Sequence, residues 1–413
     1  MALARFLQIS DLHLGRPFAW LSQDRREERR RDQQRALEQA VHQAIERGVH
    51  AILVPGDLFD SLVVDAGLLT FAIKAFDVPG CPPVFIAPGN HDPASPSNAA
   101  WAPRLLQARG LAWGPHVHIF DQPHWTAKAV ARLPGVRVWG RCFTANVEST
   151  DRPLAPSAVS AVTGTDPMGF EVAVFHGSRE GSCPPGQKIT APFSDAEVAA
   201  SPFVYHAVGH YHGMSRIEQP LTEGVKSAGA RLAYAGSAVS LDLTETGVHG
   251  ALEVRIEYGH RLPFVEAEPV ELDRRRVFDL SADVGGAASA DQLDRRIARA
   301  LDLSGVGELD FATVRLSGRL PAGVRWSAPG AELRQRAFHL RVDASALKPE
   351  HDLDAYRKGE PRTTEDRFAR DLIAQMDAES DPAKRQLLER ALYHGLDAFK
   401  LREVSPAWDE VSA

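Results

Sequence analysis

The chain contains little cysteine. Three of its 413 residues are cysteines, Cys81, Cys142 and Cys183, an odd number at wide spacing. Such a set forms neither a paired zinc motif nor a disulfide framework, since both need regularly spaced pairs. We therefore expect a protein of a reducing compartment, and specifically a cytoplasmic one.

Long apolar runs are missing as well. No stretch approaches the roughly 18 consecutive apolar residues that a membrane-spanning helix needs. The apolar start of the chain is short, contains Arg5 and leads directly into Asp11. This pattern predicts a buried first strand and not a signal peptide, whose apolar region would end at a small-residue cleavage site.

The chain carries no excess of positive charge. It has 47 Lys and Arg residues against 54 Asp and Glu, a net charge of −7. This balance excludes a histone-like basic coat for nucleic acid and leaves only a local basic groove open. A run of arginines within residues 25–31 interleaves with acidic residues, so we expect most of them on a solvent-exposed helix face.

The composition is that of a globular protein, with 44% apolar and 24% charged residues. Its length suits two or three domains. The first part alternates predicted strands with predicted amphipathic helices, and the pattern changes near residue 270. We predict a large α/β domain at 1–270, a small α/β domain at 271–345 and a helical tail at 346–413. The polar link at 348–362 is expected to be exposed.

Polar residues follow several predicted strands at their C-terminal ends. Asp-Leu-His at 11–13 follows the first strand, Gly-Asp at 56–57 the second and Gly-Asn-His-Asp at 89–92 the third. His176 ends a later strand, and residues 209–212 read Gly-His-Tyr-His. Open α/β sheets build their sites at this edge, so we expect these residues to meet there.

The residue types are typical of a site for two metal ions. Carboxylate, imidazole and amide groups without thiolate suit manganese, iron or zinc. Taken alone, Asp57 is better explained as a helix cap and Asn90 as a turn residue. The whole set, however, is too large for one ion with an open position. Two ions a few ångströms apart can clamp a phosphoryl oxygen and lower the pKa of the water between them.

In this order the motifs resemble those of the calcineurin-like metallophosphoesterases. Longer stretches resemble the SbcD-type DNA repair exonucleases, and among them the YhaO-like bacterial branch. These stretches are Ser-Asp-Leu-His-Leu-Gly-Arg at 10–16, Gly-Asp-Leu-Phe-Asp at 56–60 and Tyr-Ala-Gly-Ser at 234–237. The motifs cover residues 5–240, and the rest of the chain resembles the family in layout alone.

The resemblance implies an α/β fold, a four-layer αββα metallophosphoesterase sandwich with a cap and a helical tail. One metal would be held by Asp11, His13, Asp57 and His212, and the other by the bridging Asp57 with Asn90, His176 and His210. His91 would stabilise the transition state or protonate the leaving oxygen, and Asp60 would orient His91. The implied cofactors are two divalent ions, Mn²⁺ first, with Fe or Zn as alternatives.

The resemblance also implies a substrate and a partner. The substrate would be DNA, cleaved by an exonuclease or endonuclease in repair, and the partner an SMC-like coiled-coil ATPase, with a homodimer left open. Arg16, which the first motif places at the rim, is the candidate for a contact with the DNA backbone.

Two alternatives stay open at this point. The first is a metal-dependent phosphodiesterase or phosphatase for nucleotides or other small molecules. The second, ranked lower, is a non-catalytic scaffold of the same fold, although no ligand of the motif set is missing. A phosphoprotein phosphatase is disfavoured, because Ser61 stands where the related Ser/Thr protein phosphatases carry a phosphate-binding arginine.

Overall fold

The computed structural model of the chain describes residues 2–162, 169–184, 188–218, 229–259, 263–321, 324 and 326–401. The chain forms two compact units, Met1–Val277 and Phe278–Ala413. The boundaries predicted at 270 and 345 stay predictions, and residues 402–413 of the predicted tail lie outside the described residues. None of the helices in the described ranges combines the length and the apolar character that a membrane crossing requires.

The strands and helices of both units are numbered here in chain order, and they alternate through much of the first unit. The strands are β1 (Ala2–Gln8), β2 (Ala51–Val54), β3 (Val84–Ile86), β4 (Val117–Ile119), β5 (Thr126–Ala129), β6 (Val136–Gly140), β7 (Phe170–His176), β8 (Tyr205–Gly209), β9 (Ser215–Glu218), β10 (Ala230–Tyr234), β11 (Gly250–Tyr258), β12 (Phe264–Glu271), β13 (Val277–Asp283), β14 (Phe311–Ser317), β15 (Arg319–Leu320), β16 (His339–Asp343) and β17 (Lys348–Pro349). The helices are α1 (Gln23–Glu46), α2 (Ala66–Phe76), α3 (Pro103–Ala108), α4 (Pro156–Val159), α5 (Asp195–Ala200), α6 (Ala290–Ser304), α7 (Ala331–Arg334), α8 (Leu353–Lys358), α9 (Thr364–Ala378) and α10 (Pro382–Leu401).

The first six-stranded sheet places the first three motifs side by side. Its order is β12-β11-β1-β2-β3-β4, with β1 to β4 parallel and β11 antiparallel to both β1 and β12. The four residues of β2 are all buried, which is why this strand reads as an uninterrupted apolar run. Because β1, β2 and β3 are parallel, the loops that follow them leave the sheet at one edge.

The second six-stranded sheet supplies the later histidines. Its order is β5-β6-β7-β8-β10-β9, with β6, β7, β8 and β10 parallel and the outer strands β5 and β9 antiparallel to their neighbours. His176 is the last residue of β7, and Gly209, the last residue of β8, precedes His210. Both strands therefore present imidazoles at the C-terminal edge.

The main apolar core lies between the two sheets. Phe6, Leu53 and Phe85 of the first sheet belong to one buried cluster with Val138 and Val172 of the second, and all five side chains are fully buried. Burying a side chain of this size stabilises the fold by about 1.5–3 kcal/mol. The core therefore holds the two C-terminal edges in a fixed relation.

Helices cover the outer faces of both sheets. α1 packs against β1, β2, β11 and α2 on the first sheet. On the second sheet Trp125, Phe175 and Leu232 form a separate buried cluster with Val198 of α5. The resulting layers confirm the predicted α/β class, a four-layer αββα sandwich.

The second unit has two apolar clusters. β13, β14 and β16 form a three-stranded sheet, and α6 buries Leu293, Ile297 and Leu301 in the cluster that includes this sheet. α9 and α10 pack against each other around a second cluster. Most residues of the link at 348–362 are exposed, as predicted. The link contains α8, and its one buried residue, His351, has Nε2 2.9 Å from Asp397 Oδ1.

Candidate metal centre

The polar residues that follow five strands lie together. His13 Nε2 is 3.6 Å and His176 Nε2 is 3.3 Å from the same oxygen, Asp57 Oδ2. The ring centroids of His13 and His212 are 5.2 Å apart, and the same distance separates the rings of His176 and His210. The two sheets therefore bring their C-terminal edges into one site.

Asp11 and Asn90 are the remaining predicted ligands. Two groups contain Asp11 and have ligand atoms within 4.8 Å of one another: Asp11, His13 and His212, and Asp11, Asp57 and His176. The His210 N–H donates to both Asp11 oxygens, at 3.1 and 3.2 Å. Asn90 precedes His91, whose N–H donates to Asp57 Oδ1 at 3.0 Å. The structure thus brings six of the predicted ligands together and places Asn90 directly before a residue that contacts one of them, while the metal binding of all seven stays a proposal.

Four of these residues hold an uncommon backbone conformation. The φ angle is 49° at Asp11, 46° at His13, 50° at Asp57 and 113° at His210. A non-glycine residue with positive φ is strained by about 1–3 kcal/mol and persists only where its surroundings impose it. The strain is concentrated at residues whose side chains converge, as is common at functional sites.

Two motif glycines allow the loops to approach each other. Gly56 has a φ of +103°, and a Cβ there would lie 2.4 Å from His176 Nδ1. A Cβ at Gly89 would lie 2.2 Å from Asp57 Oδ1. Any larger residue would therefore push a predicted ligand out of place, which explains why the motifs need glycine before Asp57 and Asn90.

Two of the imidazoles are held by carboxylates. His13 Nδ1 lies 3.0 Å from Asp60 Oδ1, and His212 Nδ1 lies 2.7 Å from Glu245 Oε1. An ionised carboxylate only accepts, so Nδ1 carries the proton in both rings. Their Nε2 atoms are left with a free lone pair, which is the form of histidine that binds a metal.

The other two imidazoles are held by backbone carbonyls. His176 Nδ1 lies 3.0 Å from the Pro55 carbonyl oxygen, and His210 Nε2 lies 2.7 Å from that of Lys188. A carbonyl oxygen also only accepts, so these nitrogens are donors. The lone pair is therefore on Nε2 in His176 and on Nδ1 in His210.

The cluster fits divalent cations. Among the described residues, His13 Nε2, Asn90 Oδ1 and His176 Nε2 are buried and have no hydrogen-bond partner. Leaving such an atom unpaired costs about 1–3 kcal/mol, and a bound cation would satisfy all three lone pairs. Oxygen and nitrogen donors without sulfur suit manganese, iron or zinc.

Burial and neighbouring charges shift several pKa values in the cluster. Burial raises the pKa of the Asp11 carboxyl. Burial also acts to raise the pKa of Asp57, but the charges of neighbouring imidazoles outweigh it and set this pKa to about 2. Burial lowers the pKa of His13, and it lowers the pKa of His210 to about 4. Neutral imidazoles and an ionised Asp57 are the forms that bind cations.

Asp60, which was predicted to orient His91, contacts two imidazoles in different ways. The carboxylate contacts His13, whereas His91 Nδ1 lies 3.2 Å from the Asp60 carbonyl oxygen. The reason is that the Asp60 N–H donates to the Leu14 carbonyl at 3.1 Å, so this residue is tied to the first motif. Asp60 thus supports both histidines, His13 through its side chain and His91 through its main chain.

Arg16 lies at the rim of the cluster. Its guanidinium is 3.4 Å from Asp60 Oδ1, and the side chain is 29% exposed. Asp60 Oδ1 therefore contacts both His13, a predicted ligand, and the partly exposed guanidinium of Arg16. The contact of Arg16 with DNA stays a prediction.

Sequence reasoning missed three residues that support the cluster. Glu245 holds His212, and Gln33 of α1 donates to the carbonyls of the first motif at 2.8 Å. Asp92 accepts the Gly89 N–H at 2.8 Å. Asp92 lies inside a recognised motif, so its role could have been predicted from the sequence. The residues around Gln33 and Glu245 form no motif that indicates a role at the site.

Comparison with known proteins agrees with the site. Residues 4–197 match the family model for calcineurin-like phosphoesterases. This part of the chain is similar to the calcineurin-like phosphoesterases. Members of this metallophosphoesterase family hydrolyse phosphate esters with divalent metals, and the His and Asp groups of the cluster suit that chemistry. The matched region contains the first three motifs and His176, while His210 and His212 lie beyond it.

Solved structures show a weaker likeness. The protein TT1561 of Thermus thermophilus has a TM-score of 0.33 and 15% identity, over 57% of this chain and 90% of that one. Purple acid phosphatase PPD1 from yellow lupin (Lupinus luteus) seeds has a TM-score of 0.34 and 12% identity, over 64% and 53% respectively. TM-scores below 0.5 carry no conclusion about this chain. No curated protein matches it.

Proposed function

We propose that this chain is a metallophosphoesterase, and specifically a manganese-type, two-metal nuclease that hydrolyses phosphodiester bonds of DNA in repair. The observation that carries the proposal is the position of the exonuclease-like motif at 234–237. Its Gly236 carbonyl accepts the Ser10 hydroxyl at 3.2 Å, and its Ser237 N–H donates to the His212 carbonyl at 2.9 Å. The stretch that resembles the DNA repair exonucleases thus contacts the neighbour of one proposed ligand and the main chain of another, which supports the proposal.

In this proposal the seven side chains hold the two cations as the resemblance implies. Asp57 suits the bridging position because its Oδ2 is close to imidazoles of both ligand sets, His13 at 3.6 Å and His176 at 3.3 Å. When bound, the two cations lower the pKa of a water molecule and offset the charge that develops on the phosphate.

His91 supplies the proton for the leaving oxygen. Its Nδ1 donates to the Asp60 carbonyl, which fixes the ring and leaves Nε2 for the substrate. The ring packs edge-on against His13 at 4.7 Å and is partly exposed, so it borders both the metal ligands and the opening of the site. A positioned acid of this kind contributes about 10²–10⁴-fold to the rate.

The test uses purified protein with Mn²⁺ and linear single- and double-stranded DNA, with and without an SMC-like ATPase. We expect cleavage by the wild type and a fall of about 10²–10⁴-fold in His91→Ala. His42→Ala is the matched control, since its side chain is 69% exposed on α1. Absence of DNA cleavage in every arm, or full activity of His91→Ala, contradicts the proposal.

A cavity favours the second candidate, a phosphodiesterase for small molecules. The cavity has a volume of about 120 Å³ and reaches His176, with Arg141, Phe143 and Ser149 in its lining. A small ester could place its organic group there. Turnover of a cyclic nucleotide without any cleavage of DNA would favour this candidate over a nuclease.

The proposed partner is an SMC-like ATPase, docked on the helical tail. Leu387 of α10 is 66% exposed and is therefore available for an apolar contact. We expect co-purification of such an ATPase with the wild type and its loss in Leu387→Glu. Leu303→Glu on α6 is the control, because Leu303 is 78% exposed outside the tail. Equal binding of the ATPase by the wild type, Leu387→Glu and Leu303→Glu contradicts docking at Leu387.

A further inference from the structure

Glu245 lies in the loop between β10 and β11, outside every recognised motif. Its Oε1 is 2.7 Å from His212 Nδ1. Its Oε2 accepts the Leu241 N–H at 2.7 Å and the Ser237 hydroxyl at 3.3 Å. The side chain is only 15% exposed. Both oxygens are therefore engaged, and one of them is aimed at a predicted metal ligand.

The contact decides which nitrogen of His212 can bind a cation. A neutral imidazole has one N–H and one lone pair, and either nitrogen can carry the proton. The Glu245 carboxylate only accepts, so it selects the form with the proton on Nδ1. The lone pair then lies on Nε2, and His212 shares a cluster of ligand atoms with Asp11 and His13.

The loop that carries Glu245 is itself held in place. Arg29, fully buried on α1, donates to the Ser240 carbonyl and hydroxyl, both at 2.8 Å. The Ser240 N–H donates to Asp273 at 2.9 Å. Ser240 precedes Leu241, whose N–H fixes Glu245. The carboxylate is thus oriented by a chain of buried contacts and not by chance proximity.

We propose that Glu245 is a positioning residue of the metal centre, which fixes the tautomer and the ring orientation of His212 for cation binding. The proposal rests on the proposed function in one respect, the assignment of His212 as a metal ligand. Carboxylates behind metal-binding imidazoles raise the basicity of the ligand, and their removal typically costs 10–100-fold in metal affinity.

Two measurements test the proposal, and neither uses DNA. The first is ¹⁵N NMR of His212 in the metal-free protein, where we expect the proton on Nδ1 in the wild type and a mixture of both tautomers in Glu245→Ala. The second is titration with Mn²⁺, where we expect Glu245→Ala to bind at least one ion about 10–100-fold more weakly. Glu245→Gln has one acceptor oxygen where Glu245 uses two, so it should recover both the tautomer and the affinity only in part.

Asp242→Asn is the matched control. Asp242 lies in the same loop, but its carboxylate accepts from Thr244 and does not touch His212. A wild-type His212 with its proton on Nε2 overturns the proposal, and this result needs no variant to fold. Unchanged tautomer and affinity in Glu245→Ala overturn it as well. A protein that binds Mn²⁺ as expected and yet leaves DNA intact contradicts the nuclease proposal alone.

Discussion

The two halves of the metal centre are built differently. In the half that contains His13 and His212, each imidazole is held by a side-chain carboxylate, Asp60 or Glu245. In the half that contains His176 and His210, each imidazole is held by a backbone carbonyl. A carboxylate makes the ring a stronger donor to a cation than a neutral carbonyl does. We call the half with His13 and His212 the carboxylate half and the half with His176 and His210 the carbonyl half. We expect the carboxylate half to bind its ion more tightly than the carbonyl half does.

The difference also determines how each half responds to mutation. A carboxylate is lost with a single substitution, whereas a carbonyl stays when its side chain is replaced. The Pro55 and Lys188 carbonyls depend on the course of the main chain, which in turn depends on the core between the two sheets. A single side-chain substitution can therefore change the metal affinity of the carboxylate half, whereas the contacts of the carbonyl half change only if the main chain moves.

The largest effect is expected from Asp57→Asn, which affects both halves together. Asp57 Oδ2 lies near imidazoles of both halves, so the loss of its charge weakens both ions. We expect Mn²⁺ affinity and hydrolysis to fall by more than the 10–100-fold that removal of a supporting group costs. Calorimetry with Mn²⁺ and a hydrolysis assay measure this.

Asp24→Asn is the control for this charge change, because Asp24 is exposed on α1. If Asp57→Asn retained one ion at wild-type affinity, Asp57 would belong to one half only. The two halves would then have no ligand in common.

The regular parts of this architecture were predictable from the sequence. β2 spans Ala51–Val54 and ends just before the Gly-Asp at 56–57 that was predicted to follow the second strand, because its apolar run is short and ends at Pro55. The ligands were predictable for the same reason: each follows a strand end, and parallel strands bring those ends together.

The supporting contacts were not predictable, because they join residues that are distant in the sequence. Most of the arginines within residues 25–31 were expected on an exposed helix face, but Arg29 is fully buried, with both Asp273 oxygens within 2.8 Å of its guanidinium. Its partner follows 244 positions later. Motif order likewise does not say that the Asp60 carboxylate contacts His13 while the Asp60 carbonyl contacts His91.

A smaller and more selective effect is expected from Asp60→Asn. The substitution removes the charge behind His13 but leaves the Asp60 carbonyl that holds His91. We expect about 10-fold weaker binding of one Mn²⁺ ion, the tighter of the two, and little change at the other. A two-site calorimetric titration measures both affinities.

Lys188→Ala is the counterpart in the carbonyl half. It removes a side chain that is 78% exposed and keeps the carbonyl that holds His210, so both affinities should stay at wild-type values. If Asp60→Asn weakened the looser ion instead of the tighter one, the ranking of the two halves would be reversed.

The smallest effect is expected from Arg16→Ala, which tests the rim of the carboxylate half. Arg16 shares Asp60 Oδ1 with His13, at 3.4 Å and 3.0 Å respectively. The shorter contact does not need Arg16, so Mn²⁺ affinity should stay unchanged. A single lost phosphate contact should weaken DNA binding for all sequences alike and reduce the slope of its salt dependence by about 1.

Arg31→Ala is the control for the same change in charge, since Arg31 is 62% exposed on α1 and pairs with Glu27, not with Asp60. DNA binding measured over a range of salt concentrations should therefore separate the two variants. If Arg16→Ala lowered Mn²⁺ affinity as far as Asp60→Asn and left the salt slope unchanged, Arg16 would serve the imidazole of His13 and not the DNA backbone. The carboxylate half would then extend to the rim, and recognition of DNA would have to come from another part of the surface.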